Sequence, residues 1–263
     1  IKGQFVVQEV QDGTAGAIVL AEPYVDEDVL IIFADAVLEV DYGLTKTLGK
    51  ECAAVLWAKE VEDYQRFGVI VTNDDGTMKE IVEKPSEPIS KLANIGLYYI
   101  RDQELLFEGV RHTLAADPSP SGEYYLTDAF QYMVDKGARL MTAPVEGWWD
   151  AGKPETLIET SGHLLETGRG VIDVEASVEE AQIEEPVRIE AGAIVRGGKI
   201  GPNVTVEAGA IVEESEVRNS VVGADARLLR VRIHDSLVGD GATVSDFSGS
   251  LRVTDHSTLI GQR

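Results

Sequence analysis

Ile194-Val195-Arg196-Gly197-Gly198-Lys199-Ile200-Gly201-Pro202-Asn203-Val204-Thr205-Val206 carries aliphatic residues at 195, 200 and 206, in steps of five and six. The same steps run through Ile172, Val178, Ile183, Ile189, Val212, Val217, Val222, Leu228, Ile233, Val238 and Val244. Three steps make 16 or 17 residues, and that period repeats four times. Turn-prone residues follow several of these positions, as in Ile200-Gly201-Pro202-Asn203 and Val222-Gly223-Ala224-Asp225. A triangular parallel β-helix accounts for the pattern. Each aliphatic side chain points inward from one face, and each coil stacks on the one before it. A sandwich of short strands would instead alternate every second residue, with looser spacing.

Upstream of Gly170 the rhythm differs. Strand-like and helix-like segments alternate over residues 1–168, which predicts an α/β domain. Phe5-Val6-Val7 reads as a short strand. Val29-Leu30-Ile31-Ile32-Phe33 is an unbroken apolar run, as expected of a strand in a parallel sheet covered on both faces. Val69-Ile70-Val71 and Glu80-Ile81-Val82 flank Asn73-Asp74-Asp75-Gly76, a hairpin signal that adds an antiparallel part. Ile95 to Ile100 is a further strand. Leu126 to Lys136 reads as a helix, with Thr127 or Asp128 as its cap and Gly137 beyond its end. Pro154 and Gly168 frame a linking helix. The expected organisation is an α/β domain over 1–152, a linking helix over 153–169 and a β-helix over 170–263.

Composition narrows the function. The 263 residues are 44% hydrophobic, enough for a sizeable core, and no apolar run approaches the roughly 18 residues of a membrane span. The net charge of −23 argues against nucleic acid or acidic membranes as partners, because affinity there comes from Lys and Arg. The single cysteine, Cys52, fits a reducing cytoplasm and reads as a small packed hydrophobe.

Four pieces carry chemistry. Asp35 ends the Val29–Phe33 strand, and ligands bind beyond the carboxyl ends of such strands. Asp150 follows Gly147-Trp148-Trp149, four residues ahead of Pro154 and early for a helix cap. Alone, each is a solvated or dipole-complementing carboxylate. Together they could converge on one Mg²⁺, which takes one or two carboxylates, waters and substrate phosphates. In Val82-Glu83-Lys84-Pro85, Lys84 could meet a phosphate and Glu83 could accept hydrogen bonds from hydroxyls; a solvated strand end explains the motif equally well. The small-residue run Gly13-Thr14-Ala15-Gly16-Ala17 permits close backbone approach to a flat ligand. Gln8 can read a base edge through its amide; the alternative is a small-residue helix packed on a strand.

In their order and spacing these pieces resemble the sugar-1-phosphate nucleotidylyltransferases, over almost the whole chain. Gln8, Gly13 and Ala15 match Gln-x4-Gly-x-Ala. Ala34-Asp35 stands for Gly-Asp, and Phe67-Gly68-Val69 for Tyr-Gly-Val. Glu83-Lys84-Pro85 follows Gly68 by 15 residues. Asn94-Ile95-Gly96-Leu97-Tyr98, Gly122-Glu123-Tyr124-Tyr125-Leu126-Thr127-Asp128 and Trp149-Asp150-Ala151-Gly152-Lys153-Pro154 complete the series, with either Trp148 or Trp149 as the tryptophan of the last motif. The second half is similar to the left-handed hexapeptide-repeat β-helices that such enzymes often carry; handedness itself does not follow from spacing. The resemblance implies a Rossmann-like domain with a mixed sheet followed by a left-handed parallel β-helix. It implies that a nucleoside triphosphate and a sugar-1-phosphate give a nucleotide-sugar and diphosphate. By the same resemblance Asp35 and Asp150 hold Mg²⁺, Lys84 grips the sugar phosphate, Glu83, Asn94 and Gly68 hold the sugar, and Gln8 and Gly13 contact the base.

The family's Gly-x-Gly-x-Arg-x-x-Pro loop is absent, so the resemblance implies a chain that starts late, by ~75 residues from the length of αβ units. Such a chain is expected to lack the N-terminal part of its sheet, to expose a sheet edge and to bind triphosphate poorly. Ala34 in place of glycine and Ser121 in place of arginine are smaller departures. The motifs lean to dTTP with glucose-1-phosphate over a uridylyl type acting on glucose- or N-acetylglucosamine-1-phosphate. Two other classes stay open. A hexapeptide acyltransferase would use His234 or His256 as base, and a regulatory subunit would keep the fold without the chemistry. The flat faces of stacked coils predict self-association into a homo-oligomer.

Overall fold

The computed structural model describes residues 3–261. They form two compact units, one ending at Trp148 and one beginning at Trp149. In chain order the elements are α1 (Thr14–Val19), β1 (Val29–Ile32), β2 (Ala36–Glu39), β3 (Cys52–Glu60), β4 (Gly68–Thr72), β5 (Met78–Glu83), β6 (Leu92–Ile100), α2 (Gln103–Ala115), α3 (Leu126–Asp135), β7 (Arg139–Pro144), β8 (Gly147–Asp150) and α4 (Pro154–Leu164), followed by the repeat.

β3 explains the layering of the first unit. Successive side chains of a strand point to opposite faces. Ala54, Leu56 and Ala58 enter a core with Leu106, Val110, Phe130 and Met133 of α2 and α3. Val55 and Trp57 enter a second core with Leu97, Leu38, Leu44 and Trp148. Both faces are covered, so Cys-Ala-Ala-Val-Leu-Trp-Ala is apolar at every position. Cys52 is buried beside them, and burial pushes its thiol pKa up, as packing without reactivity requires.

The sheet runs in the order β5-β4-β6-β3-β7, with β1 also paired to β6. β3 and β7 pair in parallel, whereas β1–β6, β3–β6, β4–β6 and β4–β5 are antiparallel. The hairpin at Asn73–Gly76 joins β4 to β5, as its turn residues predict.

Three local expectations change. β1 lies antiparallel to β6 and has one covered face: Ile31 is 8% exposed, whereas Leu30 and Ile32 are 42% and 50% exposed. An unbroken apolar run therefore does not mark a strand buried on both sides here. Phe5-Val6-Val7 makes no strand, and Phe5 is 97% exposed, because no neighbouring strand among the described residues offers it a ladder. α3 starts at Leu126 without a cap from its own side chains. The Leu126 N–H donates instead to Thr14 Oγ1 at 2.9 Å, from a segment 112 residues away. Its far end is as expected: Gly137 N–H donates to Val134 C=O and Ala138 N–H to Met133 C=O.

In the second unit the coils stack in parallel. Val178, Val195, Val212, Leu228, Val244 and Leu259 are register partners in one ladder. Ile183, Ile200, Val217 and Ile233 form a second, and Ile172, Ile189, Val206, Val222, Val238 and Val253 a third. These three stacks are the five- and six-residue steps of the sequence, and all but Ile172, which is 39% exposed on the first coil, fill one interior. Each aliphatic side chain so buried contributes about 1.5–3 kcal/mol relative to exposure. Gly201 sits at a corner with φ of +106°, where an added Cβ would lie 1.8 Å from Glu184 C=O. Ser215, Ser220 and Ser236 are also buried and serve the corners. Each accepts a backbone N–H from the next coil, from Val231, Ser236 and Leu251 respectively, while its hydroxyl donates to a carbonyl two residues back. α4 packs along this solenoid against the strands Ile211–Val222 and Arg232–Val238.

Candidate active site

Four elements of the first unit meet at one point. β4 begins at Gly68, whose register partner is Glu83 at the end of β5. An added Cβ on Gly68 would lie 2.8 Å from Glu83 Oε2, 2.8 Å from Thr127 Cγ2 and 3.4 Å from Asn94 Nδ2. Thus Gly68, Glu83, Asn94 and the first turn of α3 enclose a small polar recess. Thr127 Oγ1 donates to Glu83 Oε2 at 3.1 Å. Asn94 Oδ1 accepts from Gly96 N–H at 3.0 Å and from the buried Tyr98 hydroxyl. Those two donors fix the amide so that its NH₂ faces Gly68.

Burial sets the charge balance of the recess. It raises the pKa of Glu83, with the Thr127 hydroxyl and the Lys84 ammonium pulling the other way. Tyr98 is likewise pushed far up by burial and stays a neutral donor. Lys84 leaves the strand with φ of +45° while its N–H donates to Phe67 C=O at 2.9 Å. Its exposed ammonium stands 4.0 Å from Glu123 Oε2 and 5.0 Å from the Tyr125 ring centroid. The Tyr125 hydroxyl donates to Glu123 Oε2 at 2.9 Å and lies 2.7 Å from Ser121 Oγ.

A neighbouring arrangement holds the small-residue run. Gly13 has φ of +109°, and an added Cβ would meet Tyr124 C=O at 2.5 Å. Ala15 N–H donates to Tyr124 C=O and Tyr124 N–H to Asp12 C=O, so this turn is fastened to the residues that precede α3. Gln8 Nε2 donates to Asp12 Oδ1 at 2.9 Å and to Gly13 C=O at 3.1 Å. The amide nitrogen is therefore engaged within the turn, and its oxygen remains as an acceptor.

Asp35 is exposed in the turn between β1 and β2. The chain just before it is anchored on β6: Phe33 N–H donates to Gly96 C=O at 2.8 Å, and the Phe33 ring meets Tyr98 edge-on at 5.8 Å. Trp148, which ends the first unit, packs edge-on against Phe67 at 5.3 Å, and its buried Nε1 has no hydrogen-bond partner among the described residues. Trp149 and Asp150 belong to the second unit. There Asp150 Oδ1 accepts from Gly152 N–H at 2.9 Å, and Trp149 stacks on His163. The two tryptophans, interchangeable in the motif, thus have different partners.

Thr127, Tyr98 and Tyr125 have no assigned role in the sequence reading, although all three lie inside its motifs. Thr127 is found only through a tertiary contact, because its hydroxyl meets Glu83 44 residues away, whereas Tyr98 and Tyr125 bond locally, to Asn94 and to Glu123. Among the described residues no three His, Cys, Asp or Glu side chains converge to hold an ion by protein ligands alone.

The chain belongs to the nucleotidyl transferase family, whose model matches residues 1–167. Its relatives place it among the sugar-1-phosphate nucleotidylyltransferases, a group of transferase enzymes. It is 29% identical over 263 residues to a glucose-1-phosphate thymidylyltransferase of Streptomyces antibioticus, covering 92% of this chain and 72% of that one. It is 33% identical over 264 residues to the low-salt glycan biosynthesis nucleotidyltransferase Agl11 of Haloferax volcanii, covering 91% and 72%. Among solved structures it is similar to a UDP-glucose pyrophosphorylase crystallised with UDP-glucose, at a TM-score of 0.53 and 26% identity, over 62% of this chain and 66% of that one.

Proposed function

We propose that this chain takes part in transfer of a nucleotidyl group to a sugar-1-phosphate, with dTTP and glucose-1-phosphate as substrates. The observation that carries the reading is the recess of Gly68, Glu83, Asn94 and Thr127 with the Lys84 ammonium beside it. It offers a desolvated carboxylate and an oriented amide to sugar hydroxyls, and a cation to a phosphate. Gln8 and Gly13 supply an acceptor and a close backbone approach for the base.

The chemistry needs no general base. A non-bridging oxygen of the sugar phosphate, already an anion, attacks the α-phosphorus in line; the bond to the β-phosphate oxygen breaks and diphosphate leaves. What the protein supplies is positioning and charge neutralisation. Lys84 would give up its 4.0 Å contact with Glu123 for the sugar phosphate. Glu83 and Asn94 orient the ring, and Trp148 closes the apolar side against Phe67.

The donor set fits Mg²⁺. Asp35 and Asp150 are hard anionic oxygen ligands of the kind Mg²⁺ takes, and Asp35 is exposed. When bound, the ion would neutralise phosphate oxygens in the transition state. A second reading, UTP in place of dTTP, is favoured by the UDP-glucose pyrophosphorylase likeness.

Calorimetry with dTDP-glucose and UDP-glucose, with and without Mg²⁺, tests the reading. The expected result is Mg²⁺-enhanced binding, tighter for dTDP-glucose and weakened roughly 10–100-fold by Lys84→Met. Tighter binding of UDP-glucose would assign the base to uracil. Absence of binding to both would overturn the proposal.

A further inference from the structure

Asp150 is held by residues of the solenoid unit. Its side chain is turned by the Gly152 N–H. Its carbonyl accepts from the buried Thr160 Oγ1 at 3.1 Å. The residue before it, Trp149, lies flat on His163, with ring centroids 3.6 Å apart and planes within 15°. Thr160 and His163 are three apart on α4 and share a face of that helix.

α4 is in turn fastened to the coils. Gly162 approaches Asn203 so closely that an added Cβ would already be in contact at 3.7 Å. Ser161 Oγ faces Thr205 Oγ1 at 3.4 Å, and Glu155 pairs with Arg252. The helix thus touches coils from Asn203 to Arg252 and presents Thr160 and His163 to the end of β8.

We infer that Thr160 and His163 are positioning residues for the Asp150 carboxylate, so that the solenoid, through α4, sets the aim of one metal ligand. This rests on the reading of Asp150 as a ligand. The arrangement gives the repeat a task in the reaction: it is the frame that holds a carboxylate in place. A side chain that orients a ligand typically governs metal affinity by about 10–100-fold.

The test is Mn²⁺ affinity of the full chain, read by electron paramagnetic resonance in the presence of dTDP-glucose, for Asp150→Asn, Thr160→Val, Thr160→Ser, His163→Ala and His163→Phe. Asp150→Asn should abolish the Mn²⁺ site. Thr160→Val and His163→Ala should weaken Mn²⁺ by about tenfold. Thr160→Ser, which keeps the hydroxyl, and His163→Phe, which keeps the stack, should stay within about threefold of the parent. Binding of dTDP-glucose without metal should be unchanged for the Thr160 and His163 variants. If Asp150→Asn leaves Mn²⁺ affinity intact, the metal reading fails. If Asp150→Asn abolishes it while Thr160→Val and His163→Ala retain it, the positioning role fails. Should His163→Ala unfold, His163→Phe decides: a folded variant with tenfold weaker Mn²⁺ would show that the planar stack is not what matters.

Discussion

Gly68→Ala is the sharpest perturbation of the recess. The new methyl carbon would lie 2.8 Å from both Glu83 Oε2 and Thr127 Cγ2, where ordinary contact begins near 3.4 Å. Thr127 is buried in the first turn of α3 and stiff at χ1, so it cannot swing aside. Glu83 can, but only by giving up the 3.1 Å hydrogen bond from Thr127. Overpacking of this kind costs about 1–3 kcal/mol of stability. A hydrogen bond to a charged group is worth about 1.5–3 kcal/mol, so losing the orientation of Glu83 should weaken the sugar contact by about 10–100-fold. Urea denaturation gives the first number and calorimetry with dTDP-glucose the second. If stability changes by less than about 0.5 kcal/mol and affinity by less than about threefold, the recess is not packed as argued and Glu83 does not hold the sugar.

Glu83→Gln should separate stability from binding. Burial raises the pKa of Glu83 in the folded state, so its ionised form is penalised by folding at every pH above the raised value, and the penalty fades as pH falls through it. The variant should therefore be more stable than the parent near neutral pH, converge with it in acid, and bind dTDP-glucose less tightly; equal stability across that range would remove burial as the cause. Thr14→Ala removes the acceptor for Leu126 N–H. It should cost about 1 kcal/mol in denaturant unfolding, as loss of a helix cap does, although Thr14 belongs to another helix. Ser220→Ala leaves the buried Ser236 N–H without its acceptor and should lower stability by about 1–3 kcal/mol. A neutral result there would mean that a water replaces the hydroxyl.

The repeat was the most legible part of the chain. Of the fourteen aliphatic positions named from spacing, all but the exposed Ile172 line the interior, because a solenoid coil contacts only its neighbours and its period is written along the sequence. Hairpin and helix ends were legible where a turn residue has a local cause, as at Asn73–Gly76 and Gly137. The motifs around Gly68, Glu83 and Asn94 named residues that do stand together. What they left out was the hydroxyls of Tyr98 and Tyr125, which bond locally to Asn94 and Glu123, and that of Thr127, whose partner Glu83 lies on another element.

Sequence by itself determined the coil period, the mixed α/β character of the first half and the residues worth suspecting, since those depend on local periodicity and on motif order. The tertiary structure alone decided that β1 runs antiparallel to β6 with one face open, that α3 is capped by Thr14, and that Trp148 packs on Phe67 while Trp149 stacks on His163. Each of these depends on which distant surface a segment meets, and neighbouring residues along a chain do not encode that.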